Sequence, residues 1–161
     1  MKKRSYRSPL GEILLAAHAG ALVGLWFKGQ KYEQARLEKL PDQPDGAEED
    51  ELVLEKAACW LDGYFAGQIP AIEFPLAPQG TAFQKRVWAE LRAIPYGETV
   101  TYGALAARVN CRSARAVGAA VGRNPISVLI PCHRLVGAGG SLTGYAGGLE
   151  RKEALLKLEQ G

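Results

Sequence analysis

The chain has 161 residues, enough to bury a hydrophobic core in one domain or in two small ones. No apolar run approaches the ~20 residues of a transmembrane helix, and no apolar segment follows the basic start, so we expect a cytoplasmic protein without membrane span or signal peptide. Residues 1–77 carry nine bases and twelve acids, whereas residues 78–161 carry eleven bases and five acids. A basic half is typical of proteins that bind a phosphate backbone.

The first 77 residues predict an N-terminal α/β domain that begins with a hairpin. Two apolar runs between Gly11 and Phe27 flank Ala19-Gly20, and that pattern indicates two strands and a tight turn. Spacing predicts a short amphipathic helix from Lys31 to Leu40. Two prolines, a glycine and several acids predict a surface loop from Pro41 to Asp50.

A second helix and a connector complete this predicted domain. Asp50 is the expected N-cap of a helix with apolar residues at helical spacing, and Gly67 is expected to end it. Residues 69–77 contain two prolines and predict an extended connector to a second domain at residues 78–161. His18 lies in an apolar strand and is interpreted as structural.

Cysteine and histidine usage argues against a metal site. Cys59, Cys111 and Cys132 are widely spaced, and His18 and His133 are the only histidines, so the spacing of zinc ligands is absent. The sequence therefore predicts free thiols in a reducing compartment and no cofactor.

The second domain is predicted to be mainly helical. Thr81 is the expected N-cap of a helix that runs to Ile94. Thr101 is expected to cap a short helix from Tyr102 to about Val109, and a turn follows at residues 110–112.

Ser113 is expected to cap the next helix, which runs to about Gly122. Two short helices joined by a tight turn are typical of a helix-turn-helix motif. The second helix is unusual in its small residues, Ala114, Ala116, Gly118, Ala119, Ala120 and Gly122. Two explanations stay open at this point: tight packing on a neighbouring helix, and close approach to a DNA groove.

The segment Ile130-Pro131-Cys132-His133-Arg134 carries the strongest chemical pattern. A thiolate is a strong nucleophile, and an adjacent histidine can accept the thiol proton directly or through water. A carboxylate would orient the histidine ring and stabilise its positive charge. The final predicted helix, Leu149 to Glu159, offers three acids, Glu150, Glu153 and Glu159, and the residues alone do not choose between them.

Together the motifs RAVG, RNP, IPCHR and GYAGG resemble the O6-alkylguanine-DNA alkyltransferases, also called methylated-DNA–protein-cysteine methyltransferases. The resemblance is dense from about Phe83 to Glu159 and is that of the short bacterial type. It implies an RNase H-like α/β N-terminal domain and a mainly α C-terminal domain with a winged helix-turn-helix-like motif. It also implies irreversible, single-turnover transfer of alkyl groups from O6-alkylguanine, and from O4-alkylthymine, to Cys132.

The resemblance assigns roles to individual residues. His133 and Glu159 would activate Cys132, and Tyr102 would donate a proton to N3 of the base. Arg115 would fill the space that the extruded base leaves, and the helix would enter the minor groove. Further DNA-binding positions are Arg112, Ser113, Ala114, Val121 and Asn124, with Asn124 also tying the helix to the active-site turn.

The resemblance also implies a base pocket and a partner. Tyr102, Ser127, Leu135, Tyr145 and Ala146 would line the pocket, and the Ala146 N–H would contact O6. Ser127, Leu135 and Thr143 depart from residues common in eukaryotic members. The implied partner is double-stranded DNA that contains O6-alkylguanine, bound by a monomer, with cooperative binding left open.

Three alternatives compete with repair. An alkyltransferase-like protein would bind damaged DNA without chemistry, but such proteins carry another residue in place of the cysteine. A helix-turn-helix regulator would need a sensor or dimerisation segment, and none is visible. A Cys-His-Glu hydrolase has the same residue types, but adjacent Cys and His beside a basic half favour alkyl transfer.

Overall fold

A computed structural model describes residues 1–30 and 48–161. The chain divides into two compact units, Met1–Gln79 and Gly80–Gly161. The predicted helix from Lys31 to Leu40, and most of the predicted loop after it, lie outside the described residues. Within the described ranges, no helix combines the length and apolar character that crossing a bilayer requires.

Among its described residues, the first unit contains a three-stranded antiparallel sheet and one long helix. The strands are β1 (Lys2–Ser8), β2 (Gly11–His18) and β3 (Ala21–Phe27), in the order β1-β2-β3. The predicted hairpin is therefore confirmed, with positive φ angles at both residues of its Ala19-Gly20 turn. Strand β1 was not predicted from the sequence, because its charged residues point to both faces.

Helix α1 (Glu48–Phe65) covers the sheet and begins two residues before Asp50. Asp50 is therefore not the N-cap that the sequence predicted. Its side chain is buried inside the first turn, and Oδ1 accepts a hydrogen bond from the Gly20 N–H at 2.8 Å. Gly67, with φ +87°, ends the helix as predicted, and its N–H donates to the Tyr64 carbonyl at 3.0 Å.

The second unit begins with α2 (Ala82–Arg92), which Thr81 caps as predicted. The Thr81 hydroxyl accepts from the Gln84 N–H, and the Gln84 side chain accepts from the Thr81 N–H in return. The helix ends two residues before the predicted Ile94. Buried Val87 and Leu91 pack into the core of this unit.

Helices α3 (Tyr102–Arg108) and α4 (Ala114–Gly122) form the predicted helix-turn-helix. Thr101 and Ser113 cap them through their hydroxyl groups, as expected. Asn110 turns the chain with φ +58°. The buried Trp88 indole on α2 donates to the Ala120 carbonyl at 2.9 Å and so fixes α4 on α2.

The remaining elements position the site. A short parallel pair joins β4 (Val100–Thr101) to β5 (Leu135–Val136). A single 3-10 turn, Cys132–Arg134, directly precedes β5, and another follows at Ala138–Gly140. Helix α5 (Leu149–Gln160) ends the chain, and it packs on the Cys132–Arg134 turn.

Candidate active site and nucleic-acid surface

The Cys132 thiol sits at the start of a one-turn helix and is buried. Pro131 leads into that turn, and the Arg134 N–H donates to the Pro131 carbonyl at 3.0 Å. Only 4% of Cys132 is exposed. Because adjacent residues on a strand would point to opposite faces, this turn is what allows Cys132 and His133 to belong to one site.

The segment before Cys132 has a strained backbone and is held by side-chain hydrogen bonds. Val128 has φ +70°, a conformation that a β-branched residue rarely adopts and that costs on the order of 1–3 kcal/mol. The buried Asn124 amide holds this loop, because Nδ2 donates to the Ile130 carbonyl at 2.8 Å and Oδ1 accepts from the Ile126 N–H at 3.0 Å.

His133 is joined to Glu159 in the interior. The imidazole Nε2 lies 2.6 Å from Glu159 Oε2, and both side chains are almost completely buried. A carboxylate accepts hydrogen bonds only, so Nε2 carries the proton and Nδ1 keeps a basic lone pair. Nδ1 makes no hydrogen bond to any described residue.

Arg134 is a second partner of Glu159, although no role was predicted for it beyond its place in the IPCHR motif. Its Nε donates to Glu159 Oε1 at 2.7 Å, and its Nη2 donates to Oε2 at 3.1 Å. The remaining Nη1 donates to the Ile94 carbonyl at 2.6 Å. Glu159 therefore has its charge compensated and its orientation fixed, as a buried carboxylate requires.

The resting protonation states follow from burial. Burial raises the pKa of the Cys132 thiol to about 11, opposed by the hydrogen bond from Asn124 and the positive charge of Lys152. Burial also lowers the pKa of His133, although Glu159 acts in the opposite direction. At neutral pH the pair is a neutral thiol beside a neutral imidazole, so proton transfer must accompany attack by sulfur.

Lys152 holds the loop that begins at Thr143 in place. The buried Lys152 Nζ donates to the Thr143 carbonyl at 2.7 Å and to the Gly144 carbonyl at 3.3 Å. Nζ also lies 6.0 Å from the centre of the Tyr102 ring. This lysine was not predicted as a site residue, since a lysine on a terminal helix ordinarily faces solvent.

Of the predicted pocket residues, Tyr102 lies beside this loop, because a Cβ at Gly144 would come within 3.9 Å of its hydroxyl. Burial, followed by the charge of Cys132, raises the pKa of both Tyr102 and Tyr145. Both hydroxyls therefore stay protonated at neutral pH. Ser127 and Leu135 are buried, with 1% and 0% exposed, and Ala146 is partly exposed.

Helix α4 presents a second candidate surface. Arg112, Ser113, Ala114 and Arg115 are exposed at its start. Arg115, Gly118 and Gly122 recur at helical spacing and form one face. A methyl group added at either glycine would meet nothing within 4 Å, so packing inside the chain does not require these small residues.

Two residues that the resemblance assigned to DNA binding lie inside. Asn124 is 4% exposed, and its amide is bonded to the Ile130 carbonyl and the Ile126 N–H in the loop before Cys132. Val121 is 7% exposed and belongs to the opposite, buried side of α4. Neither side chain faces a partner outside the protein, so both are reassigned to the support of the site.

Metal ligands are not assembled around these groups. Within residues 1–30 and 48–161, no three His, Cys, Asp or Glu side chains lie close enough to hold an ion.

Two family models match the chain. Residues 1–78 match the ribonuclease-like domain of 6-O-methylguanine DNA methyltransferase, and residues 82–161 match its DNA-binding domain. Two similar relatives carry the name methylated-DNA–protein-cysteine methyltransferase. That of Methanosarcina acetivorans is 47% identical over 96% of this chain and 95% of its own length, and that of Mycobacterium leprae is 46% identical over 98% and 91%.

Solved structures agree with these matches. The O6-methylguanine methyltransferase of Mycobacterium tuberculosis has a TM-score of 0.81 at 43% identity, covering 98% of this chain and 92% of that one. The OGT of the same organism, in complex with DNA, has a TM-score of 0.82 at 41% identity with the same coverage.

Proposed function

This chain belongs to the family of methylated-DNA–protein-cysteine methyltransferases, and from that premise we propose that Cys132 is the residue that receives the alkyl group. The protein repairs DNA by transferring an alkyl group to its own cysteine.

One observation carries the assignment of Cys132. The buried thiol is followed directly by a histidine whose Nε2 is bonded to Glu159 at 2.6 Å and whose Nδ1 remains unbonded among the described residues. That is the arrangement of a nucleophile with an oriented base. Neither the exposed Cys59 nor the half-exposed Cys111 is followed by a histidine in the sequence.

In the proposed reaction, every proton and electron pair that is released has an acceptor. His133 Nδ1 accepts the thiol proton, directly or through water, while sulfur attacks the alkyl carbon in line. The new S–C bond forms as the C–O6 bond breaks, and the electron pair of the broken bond passes into the guanine. Tyr102 donates its proton to N3, which leaves neutral guanine, a methylated Cys132, a tyrosinate and an imidazolium that faces Glu159.

The base must leave the duplex before sulfur can reach it, because O6 in a stacked base cannot approach a buried thiol. We assign Arg115 to the space that the base leaves in the stack. Arg112 and Ser113 would contact phosphates, and Ala114 would abut the groove, with Gly118 and Gly122 permitting close approach. Exposure of the first turn of α4 supports each of these roles.

The extruded base would bind between Tyr102 and the loop after Thr143. The Ala146 N–H would donate to O6, since its side chain cannot. Tyr145, Ser127 and Leu135 would form the walls, and the burial of Ser127 and Leu135 and the partial burial of Tyr145 support this assignment. We extend the substrates to O4-alkylthymine, whose alkylated oxygen and ring nitrogen offer similar acceptors.

The proposed partner is double-stranded DNA that contains O6-alkylguanine, bound by a monomer in the cytoplasm. The crystal structure of Mycobacterium tuberculosis OGT in complex with DNA supports the nucleic acid as partner. Sedimentation of the protein on duplexes of increasing length measures whether one chain or several bind together.

A labelled duplex with one O6-methylguanine tests the acceptor. We expect the peptide that contains Cys132 to gain one methyl group, with total repair capped at one per chain because a thioether resists hydrolysis. Cys132→Ser is the matched control and should bind DNA without transfer, since a hydroxyl is a far weaker nucleophile. Methylation of Cys59 or Cys111, or repeated turnover, would refute the assignment.

A further inference from the structure

We propose that Arg134 is a positioning residue for the alkyl transfer: it keeps Glu159 ionised and aims that carboxylate at Nε2 of His133, so that Nδ1 is the nitrogen that receives the thiol proton. This inference rests on the proposed roles of Cys132 and His133. Arg134 acts through Glu159 and not on the alkyl group itself.

The guanidinium of Arg134 binds both oxygens of the Glu159 carboxylate. Nε donates to Oε1 at 2.7 Å, and Nη2 donates to Oε2 at 3.1 Å. Two such bonds fix the plane of a carboxylate as well as its position, which a single bond does not. Oε2 also lies 2.6 Å from His133 Nε2. The oxygen that orients the imidazole is therefore one that the guanidinium already holds.

Arg134 is itself held by contacts on two sides. Its Nη1 donates to the carbonyl of buried Ile94 at 2.6 Å, and its Cζ lies 5.7 Å from the centre of the Tyr96 ring. Its backbone N–H donates to the Pro131 carbonyl at 3.0 Å, which closes the turn Cys132–Arg134. The arginine is thus fixed both to the segment after α2 and to the turn that carries the thiol, and it passes that position on to the carboxylate near the end of α5.

The positive charge of Arg134 has a second consequence. A buried carboxylate without a cation beside it favours either its own protonation or an additional proton on its hydrogen-bond partner. Burial lowers the pKa of His133, Glu159 raises it, and the charges of Arg134 and Lys152 lower it again. Arg134 therefore keeps Glu159 charged while His133 stays neutral at rest, and a neutral imidazole is what can accept the thiol proton.

Single-turnover transfer measured across pH tests the proposal. The rate should fall at low pH, where His133 gains a proton. Arg134→Met has no charge and should slow transfer at pH 7 about ten-fold or more, the range of one hydrogen bond to a charged group. It should also move the fall in rate to higher pH, because the cation that disfavours an imidazolium is gone. A structural defect alone would lower the rate equally at every pH.

The other titratable groups around the imidazole do not produce this shift. Burial raises the pKa of Cys132 to about 11, and it raises the pKa of Tyr96 and of Tyr145 above the ordinary 10.0. All three are therefore protonated throughout the range in which the imidazole titrates. Lys152 is a second nearby cation, and it is present in every variant.

Two further variants separate the charge of Arg134 from its geometry. Arg134→Lys should keep the fall in rate near its wild-type pH, because it retains the charge. It should still lose part of the rate, since an ammonium cannot bind both carboxylate oxygens as a planar fork does. Glu159→Gln should move the fall to lower pH, the opposite direction to Arg134→Met.

A double variant tests whether Arg134 acts through Glu159. On a Glu159→Gln background, Arg134→Met should cause no additional loss of rate. This pair contains no unpaired buried charge, so it and Arg134→Lys carry the test if Arg134→Met alone does not fold. Arg92→Met is the matched control, because it removes an exposed arginine at the end of α2 and should keep the wild-type rate at each pH.

Three results would overturn the proposal. They are a wild-type pH profile for Arg134→Met, a fall in rate that moves as far in Arg134→Lys as in Arg134→Met, and an additional loss in the double variant. The loss in Arg134→Met should also be equal with duplex O6-methylguanine and with free O6-benzylguanine, and a loss confined to the duplex would assign Arg134 to DNA binding instead. Failure of the wild type to methylate Cys132 would refute the proposed function and not this role alone.

Discussion

The Cys132 network and the exposed face of α4 differ in almost every physical respect. Cys132, His133 and Glu159 are buried, bonded to one another or to neighbours, and surrounded by opposing charges that largely cancel. The α4 face of Arg115, Gly118 and Gly122 makes few contacts inside the chain and is open to an external partner.

This difference separates two ways in which a substitution acts. A change in the buried network alters proton transfer and folding stability together, whatever the substrate is. A change on α4 should leave the fold and the reaction with a free base intact and act only when a duplex must be bound and opened. Variants in each region test that separation.

The largest effect is expected for Glu159→Gln. Losing the charge that favours an imidazolium at His133 should slow transfer about 100-fold at pH 7, with partial recovery as pH rises toward the thiol pKa. The buried Arg134 guanidinium also loses its partner, which should lower the free energy of unfolding by about 3 kcal/mol. Stopped-flow transfer and urea denaturation measure the two effects.

Glu153→Gln is the matched control for that variant. Glu153 lies on the same helix, is exposed, and pairs only with exposed Lys157 at 3.2 Å among the described residues. Both rate and stability should stay near wild type. A wild-type rate for Glu159→Gln across the pH range would mean that another group activates the thiol.

Local signals predicted the helices of the second unit, and long-range contacts decided the rest. Each of the three helix caps is a hydroxyl group that accepts a hydrogen bond from the N–H three residues later, at Thr81, Thr101 and Ser113. Because both partners lie within four residues, the sequence pattern alone predicts these caps. Asp50 does not cap the helix, because its carboxylate instead accepts a hydrogen bond from the N–H of Gly20, which is 30 residues away in the chain. Strand β1 was not predicted, because its residues are almost all polar and show no alternation of apolar and polar side chains.

The same distinction holds at the site. Residue types identified Cys132 and His133, but Glu150, Glu153 and Glu159 are equivalent by composition and only a family resemblance selected the last. Arg134 and Lys152 were missed because their burial depends on partners 25 and 8 to 9 residues away in the chain. No short-range pattern marks a cation that will be buried.

A pH effect on stability isolates the thiol within the buried network. Because the folded thiol has a pKa of about 11 against an ordinary 9.0, folding favours its neutral form. That contribution is complete below pH 9 and is lost as pH rises from 9 through 11, by about 2–3 kcal/mol in total. In urea denaturation, the stability difference between wild type and Cys132→Ser should therefore be constant below pH 9 and shift against wild type between pH 9 and 11. A constant difference across that range would show that the thiol ionises equally in both states.

A smaller and substrate-dependent effect is expected for Arg115→Ala. If the guanidinium replaces the extruded base, transfer from a duplex should slow about ten-fold, since base extrusion costs a few kcal/mol. Reaction with free O6-benzylguanine should keep its wild-type rate. Arg92→Ala, which removes the same charge from an exposed position at the end of α2, should match wild type on both substrates. Equal losses on both substrates would assign Arg115 to the fold or the pocket.

The smallest effect, and the sharpest test of the α4 face, is expected for Gly118→Ala. An added methyl group meets nothing within 4 Å, and alanine favours a helix over glycine, so the free protein should gain about 0.5–1 kcal/mol of stability. If the face must approach a DNA groove closely, the same methyl group should weaken duplex binding several-fold while reaction with free O6-benzylguanine stays unchanged. Thermal denaturation and fluorescence anisotropy with a labelled duplex measure the two outcomes, and Gly122→Ala, one turn further along the same face, repeats the test. A gain in stability with unchanged duplex affinity in both variants would mean that the small residues of α4 do not serve close approach to DNA.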